Sequence, residues 1–241
     1  MELDSFIYTD QGGRANNEDA AGERRFAEGG VFVVADGLGG HAEGEVASET
    51  VRRTLLEELP PVDGGADWLS ARIEKANRNI VELQKVRQNN MKSTVVALVI
   101  QGEKAHWGNV GDSRLYYIHA GKLAACTEDH SVAYRKYKAG EITRAQIPQD
   151  PDQNHLTRAV GNEDRSRVMV DMYTCHEPLM PGDGFLLCSD GVWEYLHDEE
   201  ITADLIGSAT AKDWGERLLC RIMARIAPGN DNMTLITVRV L

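Results

Sequence analysis

Apolar and β-branched residues run without a break at Val31 to Ala35 (VFVVA) and Thr94 to Ile100 (TVVALVI), the pattern of strands covered on both faces. The first should stop at Asp36-Gly37. Between the two runs the spacing becomes helical. Ala47, Val51, Leu55 and Leu59 recur every four residues from Glu43 to Leu59, with acids early and Pro60-Pro61 as a stop. Leu69, Ile73, Ala76, Ile80 and Leu83 alternate steps of four and three, predicting a second amphipathic helix that ends near Gln88-Asn89-Asn90. Farther on, Lys104 to Asn109 and Leu115 to Ile118 read as two strands of a hairpin joined by Val110-Gly111-Asp112-Ser113, with the next turn at His119 to Lys122. Arg167 to Tyr173, Gly184 to Cys188 and Met233 to Val240 supply further strands. A helix bearing Trp214, Leu218, Ile222 and Ile226 on one face, closed by Pro228-Gly229, precedes the last of them. Strands, two helices, many strands, two helices, strand is not a strict β-α alternation. It predicts an α+β fold with helix pairs outside a two-sheet core.

The 241 residues, 42% of them hydrophobic, can bury a substantial core, and the whole chain, 1–241, is expected to form a single domain. Its softest junctions are Pro60 to Gly65 and the polar stretch Ala139 to Asn154. A formal charge of -12 argues against a nucleic-acid backbone binder or a peripheral membrane protein, since either needs a basic face. Cys126, Cys175, Cys188 and Cys220 form no CxxC pair, so neither a zinc knuckle nor a redox motif is indicated. No apolar stretch approaches the roughly 18 residues that span a bilayer, and Met1 to Arg14 lacks the regions of a signal peptide. The expectation is a cytoplasmic monomer.

Four aspartates sit at the ends of apolar runs beside small or turn-forming residues: Asp36-Gly37, Asp112-Ser113, Asp190-Gly191 and Asp231-Asn232. Each falls where a strand leaves or enters a sheet, so a closed sheet could bring all four to one rim. Two carboxylates ~6 Å apart repel by on the order of 3 kcal/mol at an effective dielectric near 20. Gathering several is costly without cations between them, which points to a metal site. Singly, each Asp-Gly or Asp-Ser also reads as an ordinary turn, and Asp112 as the cap of a hairpin. DGLGGH at Asp36 to His41 is more specific, because its glycines permit close ligand approach.

Six motifs occur in one order: RANNED at Arg14 to Asp19, VADGLGGH at Val34 to His41, NVGDSRLYYI at Asn109 to Ile118, LTRAVG at Leu156 to Gly161, CSDGVW at Cys188 to Trp193 and DNMT at Asp231 to Thr234. In that order the chain resembles the metal-dependent serine/threonine protein phosphatases of the PP2C (PPM) family in its compact bacterial form, from about Asp10 to the C-terminus. The resemblance implies a four-layer α-β-β-α sandwich, two antiparallel sheets flanked by helix pairs, with two Mn²⁺ or Mg²⁺ ions at one end. It implies that Asp36 bridges the ions, that Gly37 contributes its carbonyl, that Asp190 and Asp231 complete the set, and that Asp112 with Asp190 binds a third, weaker ion. It further implies attack on phosphoserine and phosphothreonine by a metal-bridging hydroxide.

On the same basis Arg14 is the phosphate-binding arginine, Glu18 and Asp19 hold metal-bound waters, and Asn232 orients Asp231. A solvated Arg14 and an ordinary turn asparagine are the alternatives. His41 is a candidate general acid, although animal-type relatives place their histidine directly after Asp-Gly, where this chain has Leu38. No Cys-x5-Arg loop is present, since the sixth residue after each cysteine is Val132, Pro181, Glu194 or Ile226. Met91-Lys92-Ser93-Thr94 stands where relatives carry Met-Gly-Thr-Thr or a close variant, so Lys92 puts a long cation in place of glycine and could disturb a tight turn. Val132 to Asn154 corresponds to a mobile flap whose Arg135, Lys136, Lys138 and Arg144 could meet acidic substrates. The implied partners are a phosphorylated protein, a serine/threonine kinase to oppose and a forkhead-associated-domain protein, with no nucleic acid and no membrane. Two other functions fit the same residues: a catalytically silent phosphoprotein-binding regulator and a small-metabolite phosphatase.

Overall fold

A computed structural model describes residues 1–39, 43–164 and 168–241. The strands are β1 (Leu3–Asp10), β2 (Asp19–Phe26), β3 (Gly29–Leu38), β4 (Lys92–Ser93), β5 (Val95–Gln101), β6 (Lys104–Val110), β7 (Arg114–His119), β8 (Lys122–Cys126), β9 (Asp171–Thr174), β10 (Gly184–Cys188) and β11 (Met233–Val240). The helices are α1 (Gly44–Leu56), α2 (Gly65–Arg87), α3 (Val132–Lys138), α4 (Asp190–Trp193), α5 (Asp198–Ile206) and α6 (Ala211–Met223). One sheet runs β1-β11-β10-β7-β8, the other β2-β3-β5-β6-β9 with β4 added beside β3, and every pairing is antiparallel.

Three apolar layers hold the stack together. Alternate residues of β3 divide between two of them: Phe32 and Val34 pack with Leu98, Phe185 and Ile236 between the sheets, while Val31, Val33 and Ala35 meet Ala47, Val51, Leu69 and Ile73 of α1 and α2. On the other side Leu186, Leu235 and Tyr116 pack against Ile201, Trp214, Leu218 and Ile222 of α5 and α6. The result is the expected α-β-β-α sandwich. The continuous apolar runs follow from strands covered on both faces. Helix α6 stops at Met223, and Ile226 packs against the same layer from beyond its end.

Two expectations change. Strand β3 does not stop at Asp36-Gly37, because β4 pairs Gly37 with Ser93 and Leu38 with Lys92 and so carries the ladder two residues farther. Lys92 therefore lies in a strand and not in a tight turn. Strands β6 and β7 do not form a hairpin: β6 pairs with β5 and β9, whereas β7 pairs with β8 and β10. The segment Gly111 to Ser113 crosses from one sheet to the other, so Asp112 caps no hairpin and stands between the layers. Strand β7 instead forms its hairpin with β8, through Ala120 and Gly121, both at positive φ.

The stretch expected to be a soft polar flap is partly ordered. Ser131 Oγ caps α3 by accepting from the Tyr134 N–H, and Ala133, Tyr134 and Ile147 enter the core. Three of its four cations are taken by acids of this chain: Lys136 by Asp150 and Asp152, Lys138 by Glu128, and Arg144 by Asp198. Arg135 is exposed and has no ion-pair partner among the described residues.

Leu98 is fully buried in the layer between the sheets. Leu98→Ala should therefore cost about 2–5 kcal/mol, read as a lower urea midpoint with an unchanged denaturant slope. A loss below about 0.5 kcal/mol, the range of surface changes, would contradict this packing.

Candidate active site

The antiparallel order brings particular strand ends together. The C-terminal ends of β3, β6 and β10 lie with the N-terminal ends of β2, β7 and β11, so Asp36, Asp112, Asp190 and Asp231 reach the same end of the sandwich. A cavity of about 460 Å³ is lined there by Arg14, Glu18, Asp36, Gly37, Asp112, Asp190, Asp231 and Asn232, together with Leu38, Asn154 and Leu156. Asp19 sits directly across the ladder from Asp36. The His41 expectation lies outside the described residues. A larger groove of about 990 Å³ occupies the opposite ends of β2, β5 and β6; its acids, Glu28, Asp63, Glu103 and Glu177, are interspersed with Lys104, His106 and His176.

Short bonds fix the backbone at Asp36 and Asp112. The Asp36 N–H donates to Thr94 Oγ1 at 3.0 Å, while its carbonyl accepts from the Thr94 N–H at 2.8 Å and Ser93 Oγ at 2.9 Å. Thr94 Oγ1 also lies 2.6 Å from Ser113 Oγ, which ties the end of β3 to the crossover bearing Asp112. A Cβ on Gly37 would run into the Gly44 carbonyl, so only glycine lets β3 pass this close to the start of α1. Trp193 donates its indole N–H to the Asp112 carbonyl at 2.9 Å. Beneath it the buried Arg114 makes a two-pronged pair with Asp129 (2.8 and 2.6 Å) and stacks 3.5 Å from the Trp193 ring centroid.

Asp231 Oδ1 accepts from the Asn232 N–H at 2.8 Å, and Oδ2 accepts from Arg14 Nη2 at 2.5 Å. The Asn232 side chain does something other than orient Asp231. Its oxygen accepts from the Glu18 N–H at 2.8 Å and its amide donates to the carbonyls of Gln11 and Asn16, so it clamps the loop that carries Arg14. Asp19 Oδ2 accepts from Ser189 Oγ at 2.7 Å, yet Asp19 Oδ1 is buried with no hydrogen-bond partner.

Electrostatics matches this crowding. Burial pushes the Asp36 carboxyl well above its ordinary range, and Asp19, Asp190, Asp112 and Asp231 push it further. Asp36 nonetheless keeps some solvent contact through the cavity mouth. Asp190 is driven up by burial and then by Asp112 and Glu194. Burial raises Asp112 to about 7, with Asp129 adding to it, and raises Asp19 to about 6. Arg14 is held more firmly protonated by its bond to Asp231.

Among the described residues no three Asp, Glu, His or Cys side chains already stand close enough to enclose one ion by themselves. That is compatible with a hard divalent cation, which keeps several waters and takes only one or two carboxylates. The all-oxygen donor set, the mutual repulsion of the acids and the orphaned Asp19 oxygen all fit such an ion. Zinc, which favours nitrogen and sulfur, is a poor match.

Glu194 was not anticipated. It follows Asp190 by four residues as the C-cap of the short helix α4, accepts from Gln153 and is itself raised by burial. The i, i+4 spacing was the available signal. His130, also unforeseen, accepts from the Gly111 N–H at 3.0 Å and faces Asp171 at 3.0 Å, steadying the crossover before Asp112.

Comparisons with known proteins agree with this geometry. The family model for protein phosphatase 2C matches residues 11–224. The serine/threonine phosphatase stp of Listeria monocytogenes is 32% identical over 216 residues, covering 86% of this chain and 83% of that protein. The S. agalactiae serine/threonine phosphatase superposes with a TM-score of 0.85 at 29% identity over the full length of both chains. The catalytic domain of the phosphatase PstP, solved in complex with two manganese ions, superposes at 0.83 with 27% identity over 99% of this chain and 98% of its own. The chain belongs to the protein phosphatase 2C family.

The folded protein holds a proton on Asp112 up to about pH 7, whereas the unfolded chain loses it near pH 4. More protons on the folded state in that interval mean that stability falls as pH rises. In EDTA the melting temperature should decline from pH 5 to 8, and Asp112→Asn should flatten part of the slope. A melting temperature that rises over this range and is indifferent to Asp112→Asn would contradict the assignment.

Proposed function

We propose that this protein serine/threonine phosphatase, working as one domain over residues 1–241, removes phosphate from phosphoserine and phosphothreonine of proteins in the cavity that joins Asp36, Asp112, Asp190 and Asp231. The observation that carries the reading is the convergence of these acids, from four separate segments, in a chain of this family.

Asp36, the Gly37 carbonyl, Asp190 and Asp231 would hold a pair of Mn²⁺ or Mg²⁺ ions, and Asp112 with Asp190 a third, weaker one. Such a pair, when bound, supplies charge neutralisation and an acidified water as nucleophile. Asp19 and Glu18 stand behind these ligands, where they can accept hydrogen bonds from bound waters. Arg14 is about half exposed and already pairs with an anionic oxygen, that of Asp231. A phosphoryl group arriving beside Asp231 offers the guanidinium two oxygens in the geometry it prefers, so Arg14 can pass from one anion to the other. His41 remains a candidate proton donor to the leaving serine or threonine oxygen. The flap, 132–154, borders the cavity through Asn154. The proposed partners are a phosphorylated protein, the serine/threonine kinase whose action is reversed and a forkhead-associated-domain protein. The phosphatase is proposed to act as a cytoplasmic monomer.

Turnover of a chromogenic phosphate ester should require Mn²⁺ or Mg²⁺ and vanish in EDTA. Asp36→Asn and Asp231→Asn should each lower kcat by at least about 10²-fold, whereas Arg14→Ala should act mainly by raising KM. Wild-type rates in the Asp36 variant, or turnover untouched by EDTA, would overturn the site assignment. Asp112→Ala should raise the Mn²⁺ concentration needed for half-maximal rate, and an unchanged requirement would remove Asp112 from the metal set.

A further inference from the structure

Lys92 is a half-buried cation with no ion-pair partner among the described residues, and its strand is fastened to the catalytic end of the sandwich. Three bonds fasten it. Ser93 Oγ donates to the Asp36 carbonyl at 2.9 Å, and the Ser93 N–H and carbonyl form a bridge with Val160 at 3.0 and 2.8 Å. Lys92 thus precedes a residue bonded directly to Asp36.

Side-chain alternation gives its direction. Along β3, Val31, Val33 and Ala35 face the helices α1 and α2, so Phe32, Val34, Asp36 and Leu38 face the other way. Met91 packs in the helix-facing layer, and Lys92, the next residue, faces the opposite side. The register pairs Lys92 with Leu38, and Leu38 lines the cavity. Directly opposed side chains in an antiparallel pair are about 5 Å apart at Cβ and share a face. Lys92 is not itself among the residues that line the cavity, but its stem, roughly 6 Å long and set beside Leu38, lets the ammonium swing toward a protein segment bound at the mouth.

The charges around that mouth define what such a cation meets. Apart from Arg14, which is engaged with Asp231, the charged residues lining the cavity are all acids. In the working enzyme Arg14 and the bound divalent ions are committed to those acids and to the phosphate, so none of them is left to pair with an Asp or Glu beside the phosphorylated residue. An unpaired ammonium at the edge supplies the missing counter-charge.

We propose that Lys92 is a specificity-determining residue that selects phosphoprotein segments with an acidic side chain next to the phosphorylated serine or threonine. The proposal rests on the phosphatase reading above, and the experiment separates the two. Two phosphothreonine peptides are compared, one with Glu on both sides of the phosphorylated residue and one with Gln, using wild type and Lys92→Gly, Lys92→Glu and Lys92→Arg in Mn²⁺. An exposed ion pair is worth up to about 1 kcal/mol, or about five-fold. Wild type should prefer the Glu peptide in kcat/KM. The preference should fall by about three- to five-fold in Lys92→Gly, mainly through KM, reverse in Lys92→Glu and persist in Lys92→Arg. A ratio that is the same in all four proteins, or an equal loss on both peptides in Lys92→Gly, would overturn the proposal and leave the phosphatase intact. No turnover of either peptide by wild type would instead sink the phosphatase reading.

Discussion

Carboxylates that repel one another are held together at one end of this sandwich, and the rest of the site depends on that constraint. Asp36, Asp112, Asp190 and Asp19 are each pushed upward, with burial the leading cause and neighbouring acids adding to it. A fold whose aim was stability alone would not collect unpaired acids where water is scarce. The cost is recovered when something positive enters. Within the chain that role falls to Arg14 at Asp231, and in the proposed reaction the rest falls to divalent cations.

The scaffold enforces the gathering by covalent and hydrogen-bonded leverage rather than by attraction between the acids. Two stacked antiparallel sheets place alternate strand ends at the same edge, and Asp36 is locked by Ser93 of β4 and by Thr94 just after it, which reaches onward to Ser113. The buried Arg114–Asp129 pair, stacked on Trp193, props the crossover from below. Removing one member would leave a buried charge unpaired, which is why such a pair fixes position more than it adds stability. Asn232 plays the matching part above, holding the Arg14 loop against the start of β11.

Much of this was legible in the chain. Continuous apolar runs marked β5, β10 and β11 because those strands are covered on both sides, and helical spacing, four-and-three in α2 and four-by-four in α6, marked those helices because one face of each is buried. The aspartates could be picked out because each follows such a run or begins one. What periodicity could not supply was pairing. Lys104 to Ile118 reads as a hairpin by local turn chemistry, yet the two strands belong to different sheets, a choice made by contacts far away in sequence. Strands β1 and β2 were hidden because their mixed polar composition suits sheet edges that are only partly covered. The flap looked polar because its lysines and arginines are charged, but the partners of Lys136, Lys138 and Arg144, namely Asp150, Asp152, Glu128 and Asp198, become visible only when the chain is folded. Family motifs brought the site to light as a unit, whereas Glu194 and Asn232's clamp needed coordinates.

The most direct test is a calorimetric titration of the metal-free protein with Mn²⁺ at pH 6, repeated in two buffers of different ionisation enthalpy to count protons. If the acids are assembled for cations, at least two ions should bind and protons should leave, because carboxyls held neutral by their neighbours must ionise to coordinate. Binding of fewer than two ions, or binding with no proton release, would contradict the account.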